Sequence, residues 1–160
     1  MQKPALAITS QDPILNQLDF KPYRSFVERH VDVFAPGLDE PQMMELAMPW
    51  GETLNVSPGD FLVSDIKDAH DRWPVRADIF DETYIITRPG FCIKRALTFL
   101  VPLLTVTDGD ADQEVIVYSL EGPTTVRAGD FYLARGVKGE IWAFPSEKVA
   151  EIMIAVPQEG

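Results

Sequence analysis

One unit is written twice in this chain. Val56-Ser57-Pro58-Gly59-Asp60-Phe61-Leu62-Val63 lies over Val126-Arg127-Ala128-Gly129-Asp130-Phe131-Tyr132-Leu133, with Val, Gly, Asp and Phe identical. After a one-residue gap, Trp73 falls over Trp142, Asp78 over Glu147, Phe80 over Val149 and Glu82 over Glu151. A Gly-Asp match arises easily by chance. A match that also carries a downstream tryptophan and two acids implies internal duplication. Each copy, of about 45 to 60 residues in short strands, buries little surface alone. The expected solution is two pseudo-symmetric halves, small β-barrels or rolls, packed together about a near two-fold axis.

Both copies predict the same local order. A strand ends at Val56 or Val126. A turn follows, in which Gly59 or Gly129 is free to take positive φ and Asp60 or Asp130 can bond nearby backbone N–H groups. Next come an apolar strand (61–64 or 131–134), a polar hairpin loop (65–71 or 135–139) and a strand carrying Trp73 or Trp142. A short helix follows, with Ser146 as the N-cap of 147–153 and Asp78 serving the first copy. The acids Asp78 with Glu82 and Glu147 with Glu151 share a helix face at i and i+4, without a basic partner in view. A closing strand spans 84–87 or 152–156. Pro102 predicts an edge strand or a bulge. Arg88-Pro89-Gly90 marks the seam between copies.

The expected fold class is therefore all-β with a few short helices. The division is an N-terminal arm and linker over 1–40, a first repeat over 41–90 and a second over 91–160. Residues 41–160 form either one pseudo-two-fold domain or two. Within the arm, Asp12-Pro13 looks like an N-cap with proline at the first helical position, starting a helix through Leu18. Residues 23–34 fit a helix through Val27, Val31 and Phe34, or a strand through the alternation Val31-Asp32-Val33-Phe34. Residues 35–41 read as a linker.

Composition narrows the partners. Net charge is −11, from 25 acidic and 14 basic residues. Such a chain is repelled by nucleic acid and by anionic membranes, whose binding rests on Lys and Arg. The longest apolar run, 91–106, holds Lys94, Arg95 and Pro102 and is too short to span a bilayer. No signal peptide is read at the N-terminus, so a cytoplasmic location is expected. The single cysteine, Cys92, excludes an internal disulfide and is expected to be a buried, inert thiol.

Over Pro58-Gly59-Asp60-Phe61-Leu62-Val63, Arg72-Trp73-Pro74-Val75 and Asp78-Ile79-Phe80-Asp81-Glu82-Thr83-Tyr84, the chain resembles a module of uncharacterised bacterial and phage proteins. Its pattern is Pro-Gly-Asp followed by Tyr or Phe, an aromatic-Pro strand, then Asp-x-Phe-x-x-Thr-Tyr. The match covers 58–84. The second copy keeps Ala128-Gly129-Asp130-Phe131, Gly139-Glu140 and Trp142, and loses the aromatic-Pro pair and the Thr-Tyr tail. The resemblance implies a bacterial or phage origin and carries no activity.

The candidate chemistry is sparse. Asp60 and Asp130, brought face to face by a two-fold, would share a proton and do acid–base work; as turn residues they bond their own backbone. Thr107-Asp108-Gly109-Asp110-Ala111-Asp112-Gln113-Glu114 has acids at alternate positions, but a calcium loop needs Gly where Gln113 stands and Glu where Ser119 stands, so a solvated loop is expected. His70 and His30 with one remote cysteine make no metal set, and no metal or cofactor is expected. No G-x-S-x-G, P-loop or dinucleotide fingerprint occurs. His70 is a loop residue or, with Arg72 and Trp73, a ligand contact. Trp73 and Trp142 are paired core residues or stacking platforms. The functional expectation is a non-enzymatic binding or assembly module for an unspecified protein or small molecule. The alternative is a small hydrolase or small-molecule enzyme with a site between the repeats around Asp60, Asp130, His70 and Arg72.

Overall fold

A computed structural model describes residues 4–48, 53–68 and 70–157. The chain begins with β1 (Leu6–Ile8), a 3-10 turn (Pro13–Gln17), β2 (Lys21–Ser25) and β3 (Glu28–Val33). It continues through β4 (Met44–Ala47), β5 (Thr53–Val56), β6 (Phe61–Ser64), β7 (Arg72–Val75), α1 (Ala77–Thr83), β8 (Tyr84–Arg88) and β9 (Phe91–Lys94). The remainder is β10 (Thr98–Pro102), a 3-10 turn (Leu103–Thr105), β11 (Glu114–Ser119), β12 (Gly122–Arg127), a 3-10 turn (Ala128–Asp130), β13 (Phe131–Arg135), β14 (Ile141–Pro145), α2 (Ser146–Ile152) and β15 (Met153–Ala155). The fold is all-β with two short α-helices, as its many prolines and glycines and its alternating runs dictate. The strands form open sheets, and no closed barrel is present among the described residues.

The chain divides into two units. One is residues 26–96; the other joins residues 1–25 to 97–160. This differs from the expected arm over 1–40 and repeats over 41–90 and 91–160. Residues 28–33 are the middle strand of one sheet and residues 21–25 an inner strand of the other. The alternation Val31-Asp32-Val33 is therefore a strand signal. The turn 88–90 joins β8 to β9 inside one unit, and the boundary falls after Ala96.

In the 26–96 unit the sheet order is β7-β6-β3-β9-β8, and β4 pairs with β5 as a separate hairpin. Alternation along β3, β6 and β7 puts Val31, Val63 and Val75 on one face, where they pack with Phe80 of α1, Tyr84 and Cys92. Phe61, Phe80 and Tyr84 stack in sequence, with ring centroids 4.0 and 5.0 Å apart. Trp73 lies against this cluster and against a second one built by Leu46, Met48, Leu54 and Val56 of the hairpin.

In the other unit the order is β14-β13-β10-β2-β15, with β1, β11 and β12 as a second sheet. Leu100, Ala134, Val149 and Met153 form the helix-side core, and Trp142 packs on it. The opposite face is apolar as well: Val101 and Leu133 are paired and buried. Pro102 ends a central strand here instead of marking an edge, because β10 lies between β13 and β2 and the backbone turns into a 3-10 helix straight after it.

The two five-stranded orders are the same once β2 is set against β9. Each unit runs from a middle strand through a hairpin, two antiparallel strands, a seven-residue helix and an edge strand. The 26–96 unit takes its remaining strand from the next segment of chain, and the other takes it from residues 21–25. The ladders also set equivalent rows, Trp73–Val63–Val31 and Trp142–Ala134–Leu100. The Gly-Asp-Phe match would instead place Leu133 over Val63, so that motif is slipped by one residue against the ladder.

The turns explain the slip. Gly59 has φ +91°, the left-handed conformation that favours glycine, and Asp60 Oδ2 accepts from Ser57 N at 2.9 Å. Gly129 lies in a 3-10 turn without positive φ, contrary to expectation. Its glycine is needed for close approach, because a Cβ there would sit 2.8 Å from Ala111 Cβ. The helices also differ from expectation: α2 starts at Ser146 with Pro145 as its cap residue, and α1 is preceded by Arg76, neither giving a side-chain cap. Asp78 instead pairs with Arg76 at 2.8 Å, and Glu151 with Lys148 at 3.7 Å.

Candidate functional site

The sequence candidates separate by unit and by sheet face. Asp60 closes its own turn in the 26–96 unit, as the backbone-bonding reading requires. Asp130, in the other unit, accepts from Arg127 Nη1 at 3.1 Å instead of from backbone. Arg127 also bonds Asp112 at 2.7 Å, which draws one acid of the 107–114 loop into a surface network. Among the described residues no group of three His, Cys, Asp or Glu side chains is placed to hold a metal. His70 is exposed in a turn whose backbone is fixed by acids: its own N–H donates to Asp68 Oδ1 at 3.0 Å, and Asp65 Oδ1 accepts from Lys67 and Asp68 N–H.

That loop is anchored from below. Arg29 on β3, 4% exposed, pairs with Asp65 at 2.9 Å, and its guanidinium lies 5.1 Å from the centre of the Trp73 ring. Burial makes this pair a positional lock, since neither charge is cheaply left alone there. Trp73 thus serves the core and carries Arg29. A strand alternates its faces, so Arg72 and Trp73 point to opposite sides of the sheet and cannot form one flat contact.

Arg72 belongs to a different set, which sequence reasoning did not assemble. The ladder pairs Arg72 with Ser64, Ser64 with His30, His30 with Phe91 and Phe91 with Arg88. These five residues, one from each strand, form a row across the face opposite α1. Neighbouring strands lie about 4.8 Å apart, so Arg72, Ser64 and His30 fall within about 10 Å. At the other end Phe91 is held between His30, with ring centroids 4.5 Å apart, and Arg88, 3.7 Å from its ring centre. Glu28, on the same face two residues before His30, accepts from Thr87 Oγ1 at 2.6 Å and Arg88 Nη2 at 3.1 Å. Those bonds hold its carboxyl below the ordinary range. Among the described residues, the side chains of Arg72, Ser64 and His30 carry no hydrogen bond or ion pair.

The only signal for this row in the sequence is the alternation around His30, which puts it on a polar face once β3 is accepted as a strand. Its neighbours come from 34 and 42 positions further along the chain and need the sheet order to be known. The equivalent row in the other unit is Ile141, Arg135, Phe99 and Pro22, with Ile141 and Pro22 buried, so the polar row is confined to the 26–96 unit. Comparison of the chain with protein-family models, with curated proteins and with solved structures gave no match.

Proposed function

We propose that this chain is a non-enzymatic binding module of bacterial or phage type, built by duplication of one β unit, and that it binds through the outer face of the 26–96 sheet. The observation that carries the reading is the Arg72–Ser64–His30 row: three polar side chains set on adjacent strands by the ladder, without a hydrogen bond or ion pair among the described residues, His30 packing on Phe91. A serine beside a histidine invites a nucleophile–base reading. Such a relay would need a carboxylate orienting the imidazole, and Glu28 is bonded to Thr87 and Arg88 instead. The duplication reading rests on the shared strand order and the equivalent tryptophan rows. A cytoplasmic site of action fits the single, buried thiol. Among the described residues no helix is long and apolar enough to cross a membrane.

The test is a small-molecule thermal-shift screen of the wild type against a His30→Ala, Arg72→Gln double variant. A ligand that binds only the folded state raises the melting temperature by mass action. The expected hit stabilises the wild type, leaves the double variant unmoved and is recovered chemically unchanged by mass spectrometry. A hit consumed over many turnovers would contradict the non-enzymatic reading.

A further inference from the structure

From the same row, and resting on the reading of that face as a binding surface, we infer an oxyanion site of the phosphate-monoester class at Arg72, Ser64 and His30. The donors are of three kinds: a guanidinium with five N–H groups, a hydroxyl, and an imidazole N–H. They stand on three adjacent strands in strict register, β7, β6 and β3. A ligand with three terminal oxygens can turn a separate one to each donor and carries more charge, whereas a carboxylate must share its two oxygens among donors spread over about 10 Å.

The charge balance around Arg72 supports this. In a chain with 25 acids and 14 bases, four of the eight arginines hold acids among the described residues. Arg29 holds Asp65, Arg76 holds Asp78, Arg88 holds Glu28 and Arg127 holds Asp112 and Asp130. Arg72 holds none among the described residues, nor do Arg24, Arg95 and Arg135, but of these four it alone stands in register beside a serine and a histidine on one face. Two carboxylates flank His30 on its own strand. Glu28 is paired with Arg88 and also attracts His30 electrostatically. Asp32 is exposed and stands two residues beyond His30, about 6.6 Å along the strand against about 4.8 Å between neighbouring strands. The donors are therefore nearer to Ser64 than either acid is, and Glu28 and Asp32 weaken the site without closing it.

The experiment is titration of the full-length, isotope-labelled protein with inorganic phosphate, p-nitrophenyl phosphate or acetate, followed by amide NMR. Phosphate and the ester should shift the amides of Ser64, Arg72 and His30 with millimolar affinity, and acetate should bind more weakly. Arg72→Gln should weaken phosphate about tenfold or more, the scale of one lost charge-assisted bond, while Asp32→Asn should tighten it. Both side chains are exposed, so both variants should keep the wild-type spectrum elsewhere. No shift at these amides up to about 50 mM phosphate, well beyond millimolar affinity, would overturn the site. So would acetate binding as well as phosphate, or unchanged binding by Arg72→Gln. Any of these would leave the non-enzymatic reading standing. Release of p-nitrophenol in stoichiometric excess over protein would overturn that reading while keeping the site.

Discussion

Arg72 and Trp73 are adjacent in sequence and serve opposite faces of one sheet, and their energetics should differ accordingly. Trp73 touches two apolar clusters and lies beside Arg29, so Trp73→Ala should cost on the order of 3–5 kcal/mol, read as a fall in the denaturant midpoint. Arg72→Ala, at an exposed position without a partner among the described residues, should stay within about 0.5 kcal/mol. Equal costs would place both residues on one face and contradict the ladder. Cys92 is the buried thiol the sequence suggested: it is fully buried, and burial pushes its pKa up to about 11. Because the folded value is raised, its contribution to stability is complete below the ordinary thiol value of 9.0 and is lost as pH rises through about 11. Thiol-reactive dye should not label the native protein at neutral pH and should label it fully in denaturant. An alkaline stability profile should fall more steeply in the wild type than in Cys92→Ala, and labelling of the native state at neutral pH would contradict the burial. Asp60 was legible as a turn residue from its Gly-Asp context. The partner of Asp130 was not, because a side chain in a turn chooses between backbone and a neighbouring arginine by geometry that sequence does not encode.

At the scale of elements, one motif has two solutions. The left-handed turn at Gly59 and the 3-10 turn at Gly129 shift the following strand by one residue relative to the ladder. Their glycines are needed for different reasons, which substitution can separate. Gly59→Ala has open space around the new methyl but must hold positive φ, and should cost about 1–2 kcal/mol. Asp60→Asn should be milder than Asp60→Ala, because the amide oxygen can still accept from Ser57. Urea melts of the three variants check this order; a neutral Gly59→Ala would mean the turn relaxes. The apolar alternation, the Pro and Gly punctuation and the tryptophan strands made most strands visible in advance. The helix starts were misplaced because Pro145 and Arg76 precede them in extended conformation and cap them without side-chain bonds. His30 beside Ser64 left no local trace, since pairing across tens of residues is set by topology and not by neighbours.

For the whole molecule, the repeated local order was legible, and the strand that completes the second five-stranded sheet was not. A repeat search aligns what is contiguous, and the missing strand of the second unit sits at the start of the chain, where it reads as part of an arm. Residues 21–25 pair on one side with β10 and on the other with β15, so they are an inner strand despite lying near the N-terminus. The proposed binding face belongs to the unit whose strands are all consecutive, and the borrowed strand completes the unit whose equivalent row is largely apolar. Hydrogen exchange followed by mass spectrometry tests this arrangement directly. Peptides covering 21–25 should be protected as strongly as those covering 98–102, because both strands lie inside one cooperative sheet. Exchange of 21–25 at the rate of an unstructured arm, with 98–102 still protected, would contradict the arrangement.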